Sequence, residues 1–302
     1  MILSQLTTHT LRVVPNPAHR PLPSSTGIYF FAELIKLAVS LLWCASRGLA
    51  DRSFAARLRF SQRDCWQYAI PGFTFFVQNY LGFFALQHMS ASAYQLLMNT
   101  RIIVVALLAV ALQQTRLNTA QWLGLGLLMN GAMQYQLSSC DRVLRISPEG
   151  LGIIAIIVIC AAGGNVVTQL VMQKDSGQPL MMQNAILYLW GIVFNGVNWL
   201  RSVTGPTPQA WFGDIGGIQV LAMAFYACYG LSISIILKNF GAITRTIIQT
   251  LAIFMTTGLD VLVFNEQVGF LEVSCFCTVL ASTYLYSEVA RHYHPETHQH
   301  AD

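Results

Sequence analysis

The sequence predicts an all-α polytopic membrane protein, and three observations carry that expectation. Apolar runs of about 20 residues, the length a helix needs to cross a bilayer, recur from Gly27 to Tyr286. Only 10% of the 302 residues are charged, against about 25% in soluble domains. The runs are continuously apolar rather than alternating, which excludes the strands of a transmembrane barrel.

The net charge of +4 sits between the runs, where it reports topology and not a nucleic-acid-binding face. Cys44, Cys65, Cys140, Cys160, Cys228, Cys275 and Cys277 include no Cys-x-x-Cys pair and read as small packing residues. His292, His294, His298 and His300 read as a solvated tail. No cofactor or metal is expected, and no cleavable signal peptide is visible.

Residues 1–25 do not fit the pattern. MILSQLTTHTLR is too short to span, and VVPNPAHRPLPSS is a proline-rich loop, so the first membrane helix is expected to be incomplete. The next run, about Thr26–Leu49, carries Glu33 and Lys36 on one helical face. Burying them as a pair costs far less than burying either alone. They read equally well as a structural ion pair and as part of a site or gate.

The polar stretch Ala50–Trp66 holds Arg52, Arg57, Arg59 and Arg63, and short loops rich in arginine stay on the cytosolic side. Eight further spans follow: Tyr68–Gln87, Ala91–Leu112, Ala120–Leu137, Gly150–Met172, Met181–Leu200, Ile215–Leu237, Ile243–Phe264 and Phe270–Tyr286. Threading these through the bilayer puts ten Lys and Arg on the cytosolic side and five on the other. That bias favours both termini in the cytosol, with one transmembrane domain over residues 1–287 and a cytosolic tail at 288–302. Each half has about five spans, as an inverted-repeat transporter would. Gly163-Gly164-Asn165 is the one place where a broken helix competes with simple close packing.

The functional reading rests on polar side chains at membrane depth. Arginine at the bilayer centre costs at least ~2.5–3.5 kcal/mol and is usually interior-facing and functional, so Arg101 stands out. Tyr94 lies seven residues before it, two turns away on the same helical face. Gln78 and Asn79 sit mid-span, Gln169 lies in the sixth span, and Asn184 and Tyr188 share a face of the seventh. Lys238 ends the eighth span; Thr244, Arg245, Thr246 and Gln249 open the ninth. Asp260 and Glu272 fall near span ends, where a carboxylate is cheap. The interior is thus polar, aromatic and net positive, suited to a ligand with a ring and one or more phosphates. No phosphate loop, dinucleotide fingerprint, zinc-protease motif or Ser/His/Asp set is present, so an enzyme is not expected.

Several stretches resemble one known family in collinear order: FAELIKL (31–37), VQN (77–79), FALQ (84–87), AYQL (93–96), LNTAQW (117–122) and TYLYS (283–287). They are similar to the Golgi nucleotide-sugar transporters, nearest the CMP-sialic acid, UDP-galactose and UDP-N-acetylglucosamine group of the drug/metabolite transporter superfamily. The resemblance implies ten helices in two inverted five-helix repeats. It also implies exchange of a cytosolic nucleotide sugar for lumenal nucleoside monophosphate across the Golgi membrane, with the bilayer as surroundings and a homo-oligomer compatible.

Family contact positions fall on Asn79, Tyr94, Asn184, Tyr188 and Lys238, and Arg101 stands where lysine is usual. The roles implied are phosphate neutralisation by Arg101 and Lys238, base or ribose contact by Tyr94 and Tyr188, and nucleotide hydrogen bonds from Asn79 and Asn184. Departures are Gln169 in place of the family's sixth-helix acid, Tyr80 for a second asparagine and Ser90 for a corner aspartate. These losses motivate two competing readings, a non-transporting interaction or regulatory membrane protein of the same fold, and a drug or metabolite exporter.

Overall fold

The computed structural model describes residues 23–51, 62–114, 116–138, 146–174, 177–203, 216–264 and 269–292. The expected incomplete first helix, the arginines of the 52–61 loop and the tail beyond His292 lie outside them. The described chain is helical: α1 (Pro23–Ala50), α2 (Gln62–Gln67), α3 (Ala69–His88), α4 (Ala91–Met98), α5 (Arg101–Gln113), α6 (Thr119–Ser138), α7 (Pro148–Lys174), α8 (Leu180–Ser202), α9 (Gly217–Asn239), α10 (Ala242–Phe264) and α11 (Phe270–His292).

Every expected span coincides with one of these helices or an adjoining pair. Seven described stretches are long and apolar enough to cross a membrane, and α10 contributes a shorter apolar piece, Ala242–Met255. The α6 helix falls short because Gln121, Asn130, Gln134 and Gln136 dilute it. The chain is a multi-pass membrane protein.

Local chemistry sets the ends. Ser90 caps α4, its Oγ accepting from the Ala93 N–H at 3.3 Å, so serine fills the corner position with a capping role. Gln114 closes α5 in the left-handed region (φ 53°). The Glu272 carboxylate accepts from the Gly269 N–H at 3.0 Å, confirming a mundane end-capping role there. Asp260 has a side chain outside the described set.

Two points of helix continuity are resolved. The Ala91–Leu112 span is one candidate span, Ala91–Gln113, with its hydrogen bonding tightened at Asn99–Thr100 between α4 and α5, where both residues keep right-handed helical angles. Asn99 sends its Nδ2 to the Ala132 carbonyl at 3.3 Å, and the Thr100 hydroxyl donates to the Leu97 carbonyl at 2.7 Å. Around them the backbone tightens to i→i−3 bonds, Asn99 to Leu96 and Thr100 to Leu97, which is 3₁₀ geometry. Tyr94 and Arg101 lie on either side of this tightened turn, which shifts their angular offset from that of an ideal α-helix. Conversely, α7 runs unbroken through Gly163-Gly164-Asn165. Packing explains Gly164, since a Cβ there would lie 2.6 Å from the Thr74 hydroxyl oxygen.

The chain divides into two compact units. Unit 1 takes residues 1–83 and 163–241; unit 2 takes 84–162 and 242–302. Each unit thus draws one segment from each half of the sequence, as two intertwined repeats would.

In unit 1, α1 packs on α8 and α9. Its core gathers Tyr68, Met172, Ile186, Leu187 and Tyr188. Phe30 stacks on Trp199 with centroids 4.8 Å apart. In unit 2, α6 packs closely on α11, where an added Cβ at Gly131 would fall 2.9 Å from Val279. The core there joins Ile102, Ala106, Leu125, Leu128, Tyr135, Ile247, Phe254 and Val279.

Candidate functional site

Unit 1 assembles most of the expected residues. Glu33 and Lys36 form an ion pair on α1, with side chains 14% and 10% exposed. The Lys36 ammonium lies 4.5 Å above the centroid of the Tyr188 ring. The Tyr188 hydroxyl is 3.2 Å from the Ser234 hydroxyl. A single polar chain therefore ties α1, α8 and α9.

Two glycines make room for it. A Cβ at Gly191 would come 2.7 Å from the Glu33 carboxylate, and one at Gly230 would come 2.8 Å from the Lys36 stem. A buried ammonium needs both a counter-charge and further electrostatic support; here Glu33 supplies the first and the tyrosine face the second.

Unit 1 also holds amides with unused capacity, of which Asn184 lies one turn from Tyr188 on α8. Asn184 is fully buried, and its Oδ1 has no hydrogen-bond partner. Gln78 and Asn79 on α3 are half-buried and make no hydrogen bond among the described residues. Asn165, 1% exposed, has neither end of its amide paired.

Gln169 and Lys238 belong to a different cluster. Gln169 donates to the Gln173 Oε1 at 3.1 Å and covers Gly241, whose φ of +91° only glycine adopts readily. Gln173 in turn donates to the carbonyls of Leu237 and Lys238, at 3.4 and 3.2 Å. The Lys238 ammonium donates to the Gln178 carbonyl at 2.7 Å. Lys238 is tethered to the α7–α8 connection, not extended as an open charge.

Unit 2 carries Tyr94, half-buried on α4, and Arg101, the first residue of α5. Arg101 Nη2 donates to the Gln249 Oε1 on α10 at 2.9 Å. One turn before Gln249, on the same face, lies Arg245. It is 7% exposed, with a buried Nε that has no acceptor, and it makes no hydrogen bond or ion pair among the described residues. Sequence reasoning noted Arg245 and Gln249 as polar but did not rank them as site residues. The signal was their four-residue spacing, which puts a second guanidinium beside the residue that holds Arg101.

No group of three or more His, Cys, Asp or Glu side chains gathers into a metal-holding cluster among the described residues. The described cysteines are all unpaired.

Comparison with known proteins places this architecture. The chain is 26% identical over 271 residues to CMP-sialic acid transporter 4 of Arabidopsis thaliana, covering 87% of this chain and 76% of that one. It is 26% identical over 243 residues to a probable UDP-sugar transporter protein of Danio rerio, covering 78% and 75%. It is 20% identical over 281 residues to UDP-galactose translocator 1 of Caenorhabditis elegans, covering 88% and 79%. A solved crystal structure superposes with a TM-score of 0.68 at 15% identity, over 97% of this chain and 94% of its own, which shows a shared fold. The nucleotide-sugar transporter family profile matches residues 5–287. This chain belongs to the nucleotide-sugar transporter family.

Proposed function

We propose that this protein exchanges a cytosolic UDP- or CMP-sugar for lumenal nucleoside monophosphate across the Golgi membrane. The observation that carries the reading is Arg245, buried within unit 2 with its Nε unsatisfied and with no hydrogen bond or ion pair among the described residues, one turn from the Gln249 that aims Arg101. A buried guanidinium without an acceptor is costly, and a phosphate is the bidentate acceptor that its planar fork fits. The substrate that enters supplies the missing charge.

The roles follow from chemistry. Within unit 2, Arg101 and Arg245 neutralise phosphate and Tyr94 offers a ring to the base or ribose. Taken by itself, unit 1 offers hydrogen bonds from Asn79, Gln78 and the open Oδ1 of Asn184, the ring of Tyr188, braced by Lys36 and Ser234, and the charge of Lys238, now held by the Gln178 carbonyl. Glu33 and Lys36 set the position of that ring. Gln169 serves the α7–α9 connection.

With cationic groups buried in an apolar unit, a site for hydrophobic cations is disfavoured, which counts against a drug exporter. A ligand that binds only the folded state must stabilise it. UMP or CMP is therefore expected to raise the melting temperature of the purified full chain, and Arg245→Ala to abolish the rise. A melting temperature unmoved by any nucleotide would instead favour a non-transporting interaction protein of the same fold.

A further inference from the structure

A recess of about 380 Å³ opens in unit 1 between the end of α2 and the last turns of α7, lined by Gln67, Leu170, Val171, Gln173 and Lys174. It holds none of the residues assigned above to the nucleotide. Its floor is apolar: Val171 packs against the Tyr68–Met172–Tyr188 core, and Leu170 lies beside it. Its lip is polar. Gln173 is already committed to the Leu237 and Lys238 carbonyls, whereas Gln67 and Lys174 make no hydrogen bond or ion pair among the described residues.

The surroundings mark this as the water–bilayer boundary. Trp66, next to Gln67, is 67% exposed and pairs with Trp190 at 4.9 Å between centroids. Trp190 donates its indole N–H to the Cys65 carbonyl at 2.9 Å, fixing α2 in place. Exposed tryptophans at helix ends are typical of the headgroup level. Arg52, Arg57 and Arg59 precede α2 and Arg63 lies within it, the arginine bias expected at the cytosolic leaflet, whose anionic lipids draw such clusters.

We infer that this recess is a binding site for one anionic phospholipid of the cytosolic leaflet. The Lys174 ammonium takes the phosphate or carboxylate of the headgroup, the Gln67 amide hydrogen-bonds the headgroup or ester oxygens, and Leu170 and Val171 receive the first part of an acyl chain. Each part of the lipid meets the matching part of the recess. A nucleotide sugar would leave its polar ring on an apolar floor, and a free anion would gain nothing from that floor.

The test is native mass spectrometry of the full chain released from detergent containing acyl-matched phosphatidylserine and phosphatidylcholine. The expected result is one phosphatidylserine retained preferentially. Lys174→Gln is expected to cut that preference about fivefold, the contribution of one lysine at an anionic surface, and Gln67→Leu to cut it less. Both side chains are at the surface of the recess, and an unchanged melting temperature without lipid shows that each variant folds. Inorganic phosphate and UMP should leave the retained lipid in place.

Equal retention of the two lipids would overturn the assignment, as would a preference that Lys174→Gln leaves intact. Displacement by UMP would place the recess on the nucleotide path instead. A lipid-free dimer lost in Lys174→Gln would make the occupant a second copy of the chain.

Discussion

Arg101 is aimed by a residue 148 positions away in the chain, since its Nη2 reaches the Gln249 side chain at 2.9 Å. Losing a charge-assisted hydrogen bond to phosphate costs about 1.5–3 kcal/mol of binding. Arg101→Ala is therefore expected to weaken nucleotide binding at least tenfold in a protein that still folds, read as loss of the UMP-induced shift in melting temperature. Gln249→Leu should weaken it less, because the charge remains and only its aim is lost. A normal shift in Arg101→Ala would show that Arg101 is structural.

The Glu33–Lys36 pair calls for a double-mutant cycle. Breaking one partner of a buried pair costs about 3–5 kcal/mol, whereas an apolar replacement of both can be neutral. Lys36→Met alone should destabilise strongly, and Glu33→Leu with Lys36→Met should recover most of the stability. Uptake then separates the two roles: recovery of stability without recovery of uptake assigns the pair to positioning Tyr188. These two residues were legible in the sequence because three-residue spacing places them on one face. Arg101 was legible from its cost in the bilayer. The Arg101–Gln249 contact was not, because no local pattern links residues on α5 and α10.

At the scale of elements, two adjacent glycines on α7 make opposite demands. An added Cβ at Gly164 would meet the Thr74 hydroxyl at 2.6 Å, while one at Gly163 would meet nothing within 4 Å. Gly in a helix interior costs about 1 kcal/mol relative to Ala. Gly163→Ala should therefore raise the melting temperature or leave it unchanged. Gly164→Ala should lower stability by about 1–3 kcal/mol through overpacking. If both variants behaved alike in thermal melting, the packing of α7 on α3 would be wrong.

Element identity was readable from apolar run lengths, and boundaries fell within a few residues. The local tightening at Asn99–Thr100 was not legible: there Asn99 donates to the Ala132 carbonyl of a separate helix, a tertiary contact no propensity encodes. The same limit applies to Lys238, whose link to the Gln178 carbonyl depends on how α9 ends beside the α7–α8 connection.

Across the whole molecule, the composition already specified a multi-pass membrane protein, and the pairing of early and late segments within each unit fits the two-repeat reading. Charge is distributed unequally between them. Unit 1 neutralises Lys36 internally with Glu33 and tethers Lys238 to a carbonyl, while in unit 2 Arg245 is buried with no hydrogen bond or ion pair among the described residues. The proposed function assigns that guanidinium to a phosphate.

The most direct measurement of the central claim is counterflow into proteoliposomes holding the full-length protein and preloaded with UMP or CMP. Labelled nucleotide sugars are offered outside, with Arg101→Ala and Arg245→Ala measured in parallel. The account predicts that at least one UDP- or CMP-sugar accumulates only when the matching monophosphate is inside, and that either substitution stops it. Absence of exchange with every nucleotide sugar, from protein shown to be folded, would contradict it.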